Sequence, residues 1–475
     1  MSQNNLTFEK ISEQKLKLEK GNPLIELAGS CRINSGIASL SLEDKLKFSK
    51  YYDQLANKLN ITFFIPASGS GSRMFDALYD FIQSAKPKTE TIEFVEHLIS
   101  DIENFAFYNK LDHNTKSDLK NGTIAIVNFI ENILFEDGLN FGNLPKGLIP
   151  FHRYDNFIIN PFQEHVLQGY SIAGDSAHFH FTINDLYKKK IAESIRILNE
   201  ITGIDAKAAF SEQKIETNAI AFNEEFHPIH DEQGDFITRP AGHGALLENL
   251  NSVDADLIFI RNIDNVQHRN HAANSIQTRK ALAGKLLNLQ TDIFEILRRL
   301  DKGDDYIEKL TFLNNTFDFR IPENKFSDAT FIYNFLNRPI RICGMVKNEG
   351  QQGGGPFWII DEQGIERRQI IEKSQISSDA KQLAALVKST HFNPVEMVCG
   401  VKNYQNQKFD LTKFTNEDLY FVVQKTHQGI PIQYIEEPGL WNGGMQNWTT
   451  LFYEIDADCF SPVKTVLDLL KPLHR

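Results

Sequence analysis

Ile61-Thr62-Phe63-Phe64-Ile65-Pro66 is a short β-branched and aromatic run that stops at Ala67-Ser68-Gly69-Ser70-Gly71-Ser72-Arg73. An apolar run of this length bounded by glycine predicts a buried strand. A glycine-rich turn directly after a buried strand lets backbone N–H groups approach phosphate oxygens. Arg73, just beyond, can clamp phosphate through paired donors. The Gly-Lys-Ser/Thr ending of a P-loop is missing, and the dinucleotide fingerprint is incomplete.

Upstream, residues 1–60 are expected to be helical. The signal Leu40-Ser41-Leu42-Glu43-Asp44 has a capping character, and Leu46, Phe48, Tyr51, Leu55 and Leu59 follow at helical spacing. Downstream, 75–140 carries two amphipathic stripes, one through Ile92, Phe94, Val95, Leu98 and Ile99, the other from Ile124 to Ile133. It reads as a helical insertion. From about 141 helices and strands alternate: a helix-like Phe162–Leu167, strand-like His178–Ile183, a helix from Asp185 to Thr202, strand-like Ala208–Phe210 and the stronger Asp256–Arg261. Alternation of this kind implies a mostly parallel sheet covered on both faces. A long helix is expected over about 275–300, and the C-terminal third is more strand-like.

The 475 residues suggest about three domain-sized units. The divisions expected are a helical segment 1–60, a core 61–337 containing the 75–140 insertion, and a C-terminal region 338–475. Hydrophobic residues make up 41% and charged residues 24%, enough for a sizeable core. The formal charge of −12 argues against a general nucleic-acid binder, although anionic small molecules remain possible where a few Lys and Arg gather. Cys31, Cys343, Cys399 and Cys459 form no C-x-x-C pair, so buried thiols in a reducing cytoplasm are expected. No signal peptide or membrane-span pattern stands out, which predicts a soluble cytoplasmic protein.

Four further segments carry chemistry-bearing residues. Lys146 sits between Pro145 and Gly147, where a fixed lysine can hold phosphate as a point charge. Arg239-Pro240-Ala241-Gly242-His243-Gly244 brings bare backbone to both sides of His243. Arg261-Asn262-Ile263-Asp264-Asn265 follows the strongest strand, where ligands bind in open α/β sheets and a carboxylate can hold Mg²⁺. Phe460-Ser461-Pro462-Val463-Lys464-Thr465 places a second lysine in a Pro-stiffened connection before an expected terminal helix. Taken singly, each also reads as a turn, a packed histidine or a cap.

In order, Gly69-Ser70-Gly71-Ser72-Arg73, Pro145-Lys146-Gly147, Pro240-Ala241-Gly242-His243-Gly244, Asn262-Ile263-Asp264-Asn265 and Pro462-Val463-Lys464-Thr465 resemble the motif series of the UDP-sugar pyrophosphorylases, the UDP-N-acetylhexosamine and UTP–glucose-1-phosphate uridylyltransferases. Glu212-Gln213 looks like the family's uracil-contacting glutamine. Ile371-Glu372-Lys373-Ser374-Gln375-Ile376 looks like its sugar-contacting segment, and Asn393 lies about where it has a sugar-binding asparagine. The whole chain also resembles an uncharacterised bacterial family, with hallmarks Cys343–Gly350 and Pro438-Gly439-Leu440-Trp441-Asn442-Gly443.

The resemblance implies a glycosyltransferase-A-like, Rossmann-like nucleotidyltransferase sheet with helices on both faces, a helical insertion and a strand-containing C-terminal region. It also implies attack of a sugar 1-phosphate on UTP with Mg²⁺. Gly69, Ser70, Gly71 and Ser72 would cradle the triphosphate, Arg73 would hold the leaving pyrophosphate, and Lys146 and Lys464 would bracket the reacting phosphates. Asp264 would be the metal ligand; Gln213, Gly242 and His243 would meet the nucleotide, and Glu372 and Asn393 the sugar. The partners implied are a small-molecule nucleotide and a sugar phosphate, with neither nucleic acid nor membrane. A glycosyltransferase using a nucleotide-sugar donor and a non-catalytic nucleotide-sugar binder remain alternatives.

Overall fold

The computed structural model describes residues 2–351, 353–427 and 429–475. Ten strands form its main sheet: β1 (Arg32–Ile33), β2 (Gly36–Ala38), β3 (Ile61–Pro66), β4 (Ala177–Thr182), β5 (Lys207–Ser211), β6 (Leu257–Arg261), β7 (Ile340–Lys347), β8 (His391–Phe392), β9 (Glu396–Gly400) and β10 (Thr449–Glu454). Their spatial order is β1-β2-β10-β7-β9-β6-β3-β4-β5, with β8 pairing off β7. Within that row every pairing is parallel except the two made by β9, which lies antiparallel between β7 and β6. The sheet is therefore mixed but mostly parallel, as the alternation of strands and helices predicts.

Burial explains why β3 has no polar face. Ile61, Phe63 and Ile65 join one core cluster with Phe179, Phe181 and Phe259, covered by the Pro161–Ala173, Lys188–Thr202 and Ala273–Lys302 helices. Phe64 points to the opposite face, among Ile258, Ile260, Met397, Leu246 and Leu250. Phe63 stacks on Phe179 at 5.3 Å and on Phe259 at 5.0 Å, its register partners on the two flanking strands. Such ring pairs add about 0.5–1.5 kcal/mol each beyond their buried area.

Residues 75–140 fold as helices Asp76–Gln83, Thr89–Ser100, His113–Asn121 and Ile126–Leu134 with intervening 3₁₀ turns. Their core, including Phe75, Val95, Leu98, Phe129 and Ile133, also contains Val266, Val463 and Val466. The insertion thus packs directly beneath the segments carrying Asp264 and Lys464.

Three local expectations change. Residues 27–38 form short strands rather than helix: Leu27–Ser30 pairs with Gly355–Ile360, and β2 pairs with β10. Partners more than 300 positions away decide that conformation. The Leu42–Leu55 helix does start at Ser41, whose side chain accepts from the Asp44 N–H at 3.0 Å, but it buries Phe48 and Tyr52 while Leu46 is exposed. The expected terminal helix is two 3₁₀ turns, Val466–Leu470 and Pro472–His474, because Pro472 cannot donate the backbone bond that would extend a helix. All four cysteines are buried and free, and burial pushes their thiols up. Among the described residues no helix is long and apolar enough to cross a membrane.

Candidate functional site

The chain runs from β3 to its neighbour β4, on to β5, then returns to the other side of β3 as β6. Strand order therefore reverses at β3, and the crevice beyond its carboxyl end is where open α/β sheets bind ligands. The registers put the other segments on the same rim. Pro66 lies opposite Thr182 and Thr182 opposite Ser211, so β3, β4 and β5 end together. Arg261, the last residue of β6, pairs with Glu396, the first of antiparallel β9, which brings Asn393 to this edge.

Three distant segments meet here. The Lys146 Nζ donates to Asp264 Oδ2 at 3.0 Å and to the Val463 carbonyl at 2.5 Å. Lys464 Nζ reaches the same carboxylate oxygen at 3.8 Å, its side chain largely exposed. Backbone contacts fix the meeting: Val463 N–H donates to Asp264 O at 3.1 Å, and Asn265 forms a bridge with Pro462. The glycine loop joins through a Ser70–Pro145 bridge and a Gly71 N–H to Leu144 O bond of 3.1 Å. Gly147 is needed for space, since a Cβ there would lie 2.4 Å from the Phe162 ring. Gly69, Ser70 and Arg73 are exposed on the loop and the following Ser72–Phe75 turn, and the Ser70 hydroxyl bonds that of Ser72 at 2.9 Å.

Two buried polar networks hold this rim, and the motifs disclosed neither. His152 Nδ1 lies 2.8 Å from Glu164 Oε2, His152 Nε2 lies 3.0 Å from His474 Nδ1, and His474 Nε2 lies 2.7 Å from Ser461 Oγ. One proton arrangement satisfies the row: Ser461 donates to His474, His474 to His152, and His152 to ionised Glu164. It anchors the residue three before Lys464. Beneath Asp264, Arg261 Nε and Arg279 Nε lie 3.0 and 3.4 Å from the two Glu396 oxygens, all three side chains buried. Burial lowers Arg279 to about 10, leaving it cationic at neutral pH.

A second cluster gathers the remaining expected residues. Gly242 has φ +71°, a conformation that favours glycine, and a Cβ there would lie 2.5 Å from Glu436 Oε2. His243 stacks on Trp441 with ring centroids 4.0 Å apart, and its Nδ1 accepts from Leu440 N–H at 2.8 Å. Burial lowers His243 to about 4, so the ring is neutral. Next in the loop, Asn442 Nδ2 donates to Glu372 Oε1 at 3.3 Å. Burial raises the Glu372 carboxyl, with the Asn442 bond opposing. Asn393 N–H donates to Gly354 O at 2.9 Å, and Gly354 lies against Glu372. Gln213, just past β5, donates to Thr217 Oγ1 and Asn218 Oδ1, each at 3.3 Å.

The structure thus brings Lys146, Asp264 and Lys464 into contact, ties the glycine loop to them, and sets His243, Glu372 and Asn393 in a separate group. Among the described residues no hydrogen bond joins Gln213 to either group. A cleft beside the N-terminal helix, lined by Lys17, Lys20 and Tyr420, contains none of these residues. Asn442, which no motif comparison singled out, was legible only as part of Pro438–Gly443.

For Mg²⁺, the donor set is one carboxylate. Among the described residues no group of three or more His, Cys, Asp or Glu is placed to hold a metal. Asp264 fits an ion that takes its other ligands from phosphate and water, the usual habit of magnesium.

The family model described as "Domain of unknown function (DUF4301)" matches residues 1–475. The chain belongs to the DUF4301 family. No curated protein matches this DUF4301 chain by sequence. Among solved structures it is similar to the uridine diphosphate N-acetylglucosamine pyrophosphorylase of Trypanosoma brucei in complex with an inhibitor, at 12% identity and a TM-score of 0.52, covering 98% of this chain and 74% of that one. It also matches the UDP-glucose pyrophosphorylase of Leishmania major in its open and closed structures, at 11% identity and a TM-score of 0.43, covering 98% and 75%. The structural neighbours are UDP-sugar pyrophosphorylases, the group its motifs resemble. The Trypanosoma brucei likeness shows a shared mixed α/β fold with a large, mostly parallel sheet.

Proposed function

We propose that this DUF4301 chain is a nucleotidyltransferase that converts UTP or another NTP and a sugar 1-phosphate into a nucleotide-sugar and pyrophosphate, on a glycosyltransferase-A-like sheet whose core spans 61–337. The observation that carries this is the convergence of Lys146 and Lys464 on Asp264 at the rim where strand order reverses. Two lysines on one carboxylate suit a site whose full complement is several phosphates and a divalent ion.

In this reading a sugar-phosphate oxygen forms a bond to the α-phosphorus. The bond from that phosphorus to the oxygen leading to the β-phosphate breaks, and pyrophosphate leaves in line with the electron pair. The nucleophile is already ionised, so no general base is required. Catalysis rests on positioning and on charge placed where it develops. Lys146, fixed by the Val463 carbonyl, and the more exposed Lys464 neutralise the α-phosphate; Arg73 and the loop from Gly69 to Ser72 hold the leaving pyrophosphate. Asp264 would hold Mg²⁺, which when bound would neutralise charge on the phosphates. Gln213, Gly242 and neutral His243 meet the base, while Glu372 and Asn393 meet the sugar.

Incubation with UDP-glucose or UDP-N-acetylglucosamine, pyrophosphate and Mg²⁺ tests this. UTP release is expected. Sugar transfer or hydrolysis without UTP would favour a glycosyltransferase, and tight nucleotide-sugar binding without turnover would favour a binder.

A further inference from the structure

Asn442 is only 1% exposed, and its side-chain oxygen has no hydrogen-bond partner among the described residues. The amide nitrogen faces Glu372 Oε1, to which it donates, and Oδ1 is the free end. Asn393 is the mirror case. It is 5% exposed, its Oδ1 accepts from Val395 N–H at 2.8 Å, and its Nδ2 is unpartnered among the described residues. Buried amide groups without partners are rare and costly, and each calls for an explanation.

The backbone around them is unusual. Val395 is held at φ +60°, a genuine outlier for a β-branched residue, and Asn442 has φ −107° and ψ −109°. Such conformations cluster at ligand sites. The two residues belong to one neighbourhood: the Asn393 backbone N–H bonds the Gly354 carbonyl, a Cβ on Gly354 would lie 3.3 Å from Glu372 Oε1, and Glu372 Oε1 accepts from Asn442. The unpartnered polar groups beside the Glu372 carboxyl are thus one acceptor, Asn442 Oδ1, and one donor, Asn393 Nδ2.

We infer that Asn442 is a specificity-determining residue that accepts a hydrogen bond from a sugar hydroxyl, and that the sugar is an uncharged polyhydroxylated ring. A ring hydroxyl donates to Asn442 Oδ1, and another oxygen on the ring accepts from Asn393 Nδ2. A sugar acid is disfavoured, because its carboxylate would face Glu372 and the Asn442 carbonyl oxygen. The inference rests on the nucleotidyl-transfer reading and narrows its substrate class. It also gives the Pro438–Gly443 loop a role, since the same loop stacks Trp441 on His243 and so links the base side of the site to the sugar side.

The test compares wild type with Asn442→Ala, Asn442→Ser and the isosteric Asn442→Asp. Glucose 1-phosphate, N-acetylglucosamine 1-phosphate and glucuronic acid 1-phosphate are the acceptor panel, and UTP affinity and melting temperature are measured alongside. The expected result is a KM for the preferred neutral sugar phosphate raised on the order of tenfold in Ala, with UTP affinity retained. Ser, which keeps an acceptor oxygen, should recover part of the loss, and Asp should lose more because it sets a second carboxylate against Glu372. If Ala fails to fold, the Ser and Asp variants read the same contact. An unchanged sugar KM, or glucuronic acid 1-phosphate as the preferred acceptor, overturns this inference and leaves nucleotidyl transfer standing. A wild-type protein that binds UTP but none of the sugar phosphates also overturns it, and one that binds no nucleotide overturns the nucleotidyl-transfer reading as well.

Discussion

Replacing Lys146 by Met keeps a straight apolar stem and deletes one charge. That charge lies 3.0 Å from Asp264 Oδ2 and 2.5 Å from the Val463 carbonyl, with both ion-pair side chains under 15% exposed. At 3.0 Å and an effective dielectric of 20 the gross attraction is about 5–6 kcal/mol. Desolvation of both charges cancels much of it, and charged hydrogen bonds net about 1.5–3 kcal/mol. Lys464, 3.8 Å from the same oxygen, remains to compensate Asp264. The stability loss should therefore sit in that range and appear as a fall of a few degrees in melting temperature. Turnover should fall much further, on the order of 10²–10³, because in the proposed reaction the lysine would act where charge develops in the transition state. Lys146→Arg should not restore it, since a planar fork cannot replace a point charge shared between a carboxylate and a carbonyl. Pyrophosphate-dependent UTP release, measured beside thermal melting, separates the two effects. Turnover within about threefold of wild type in folded Lys146→Met would remove Lys146 from the phosphate site and refute the reasoning.

Acid should weaken the fold through His474, which burial, with His152 alongside, holds at about 3. The unfolded chain takes up that proton near 6.5, so this contribution is complete above about pH 6.5 and declines as pH falls toward 3, by about 2 kcal/mol at pH 5. His474→Gln should flatten the melting-temperature profile between pH 8 and 5; an identical slope in both proteins would count against the buried row. Glu396→Gln should leave two buried guanidinium groups without a counter-charge and cost about 3–5 kcal/mol, read as a large drop in melting temperature. A melting temperature equal to wild type would mean that Arg261 and Arg279 find other partners.

Local chemistry explains which parts were readable in advance. Ile61–Pro66 announces itself because a strand buried on both faces needs no alternation, and the Gly-Ser turn marks its end. Lys146, Asp264 and Lys464 each sit in a short motif whose neighbours, Pro and Gly, restrict the backbone. Their mutual geometry was not legible, because the Lys146–Val463 contact spans 317 positions and the His152–His474 contact spans 322. Residues 27–38 misled for the same reason: pairing partners at 355–360 and 449–454 supply the strand conformation. Leu46 matched a helical stripe, yet the helix turns Phe48 and Tyr52 inward, because spacing alone does not say which of two adjacent stripes meets the sheet. Asn442 became visible only when its neighbours were in place, since an unpartnered amide is a property of surroundings rather than of sequence.

The central claim is spatial: residues from four separated segments serve one phosphate-binding rim. A crystal structure with a non-hydrolysable UTP analogue and Mg²⁺ tests it most directly. The account predicts triphosphate density beside the 69–73 loop, with Lys146, Asp264 and Lys464 turned toward the α-phosphate. An analogue bound elsewhere, with the Lys146–Asp264–Val463 contacts undisturbed and the rim filled only by water, would contradict it.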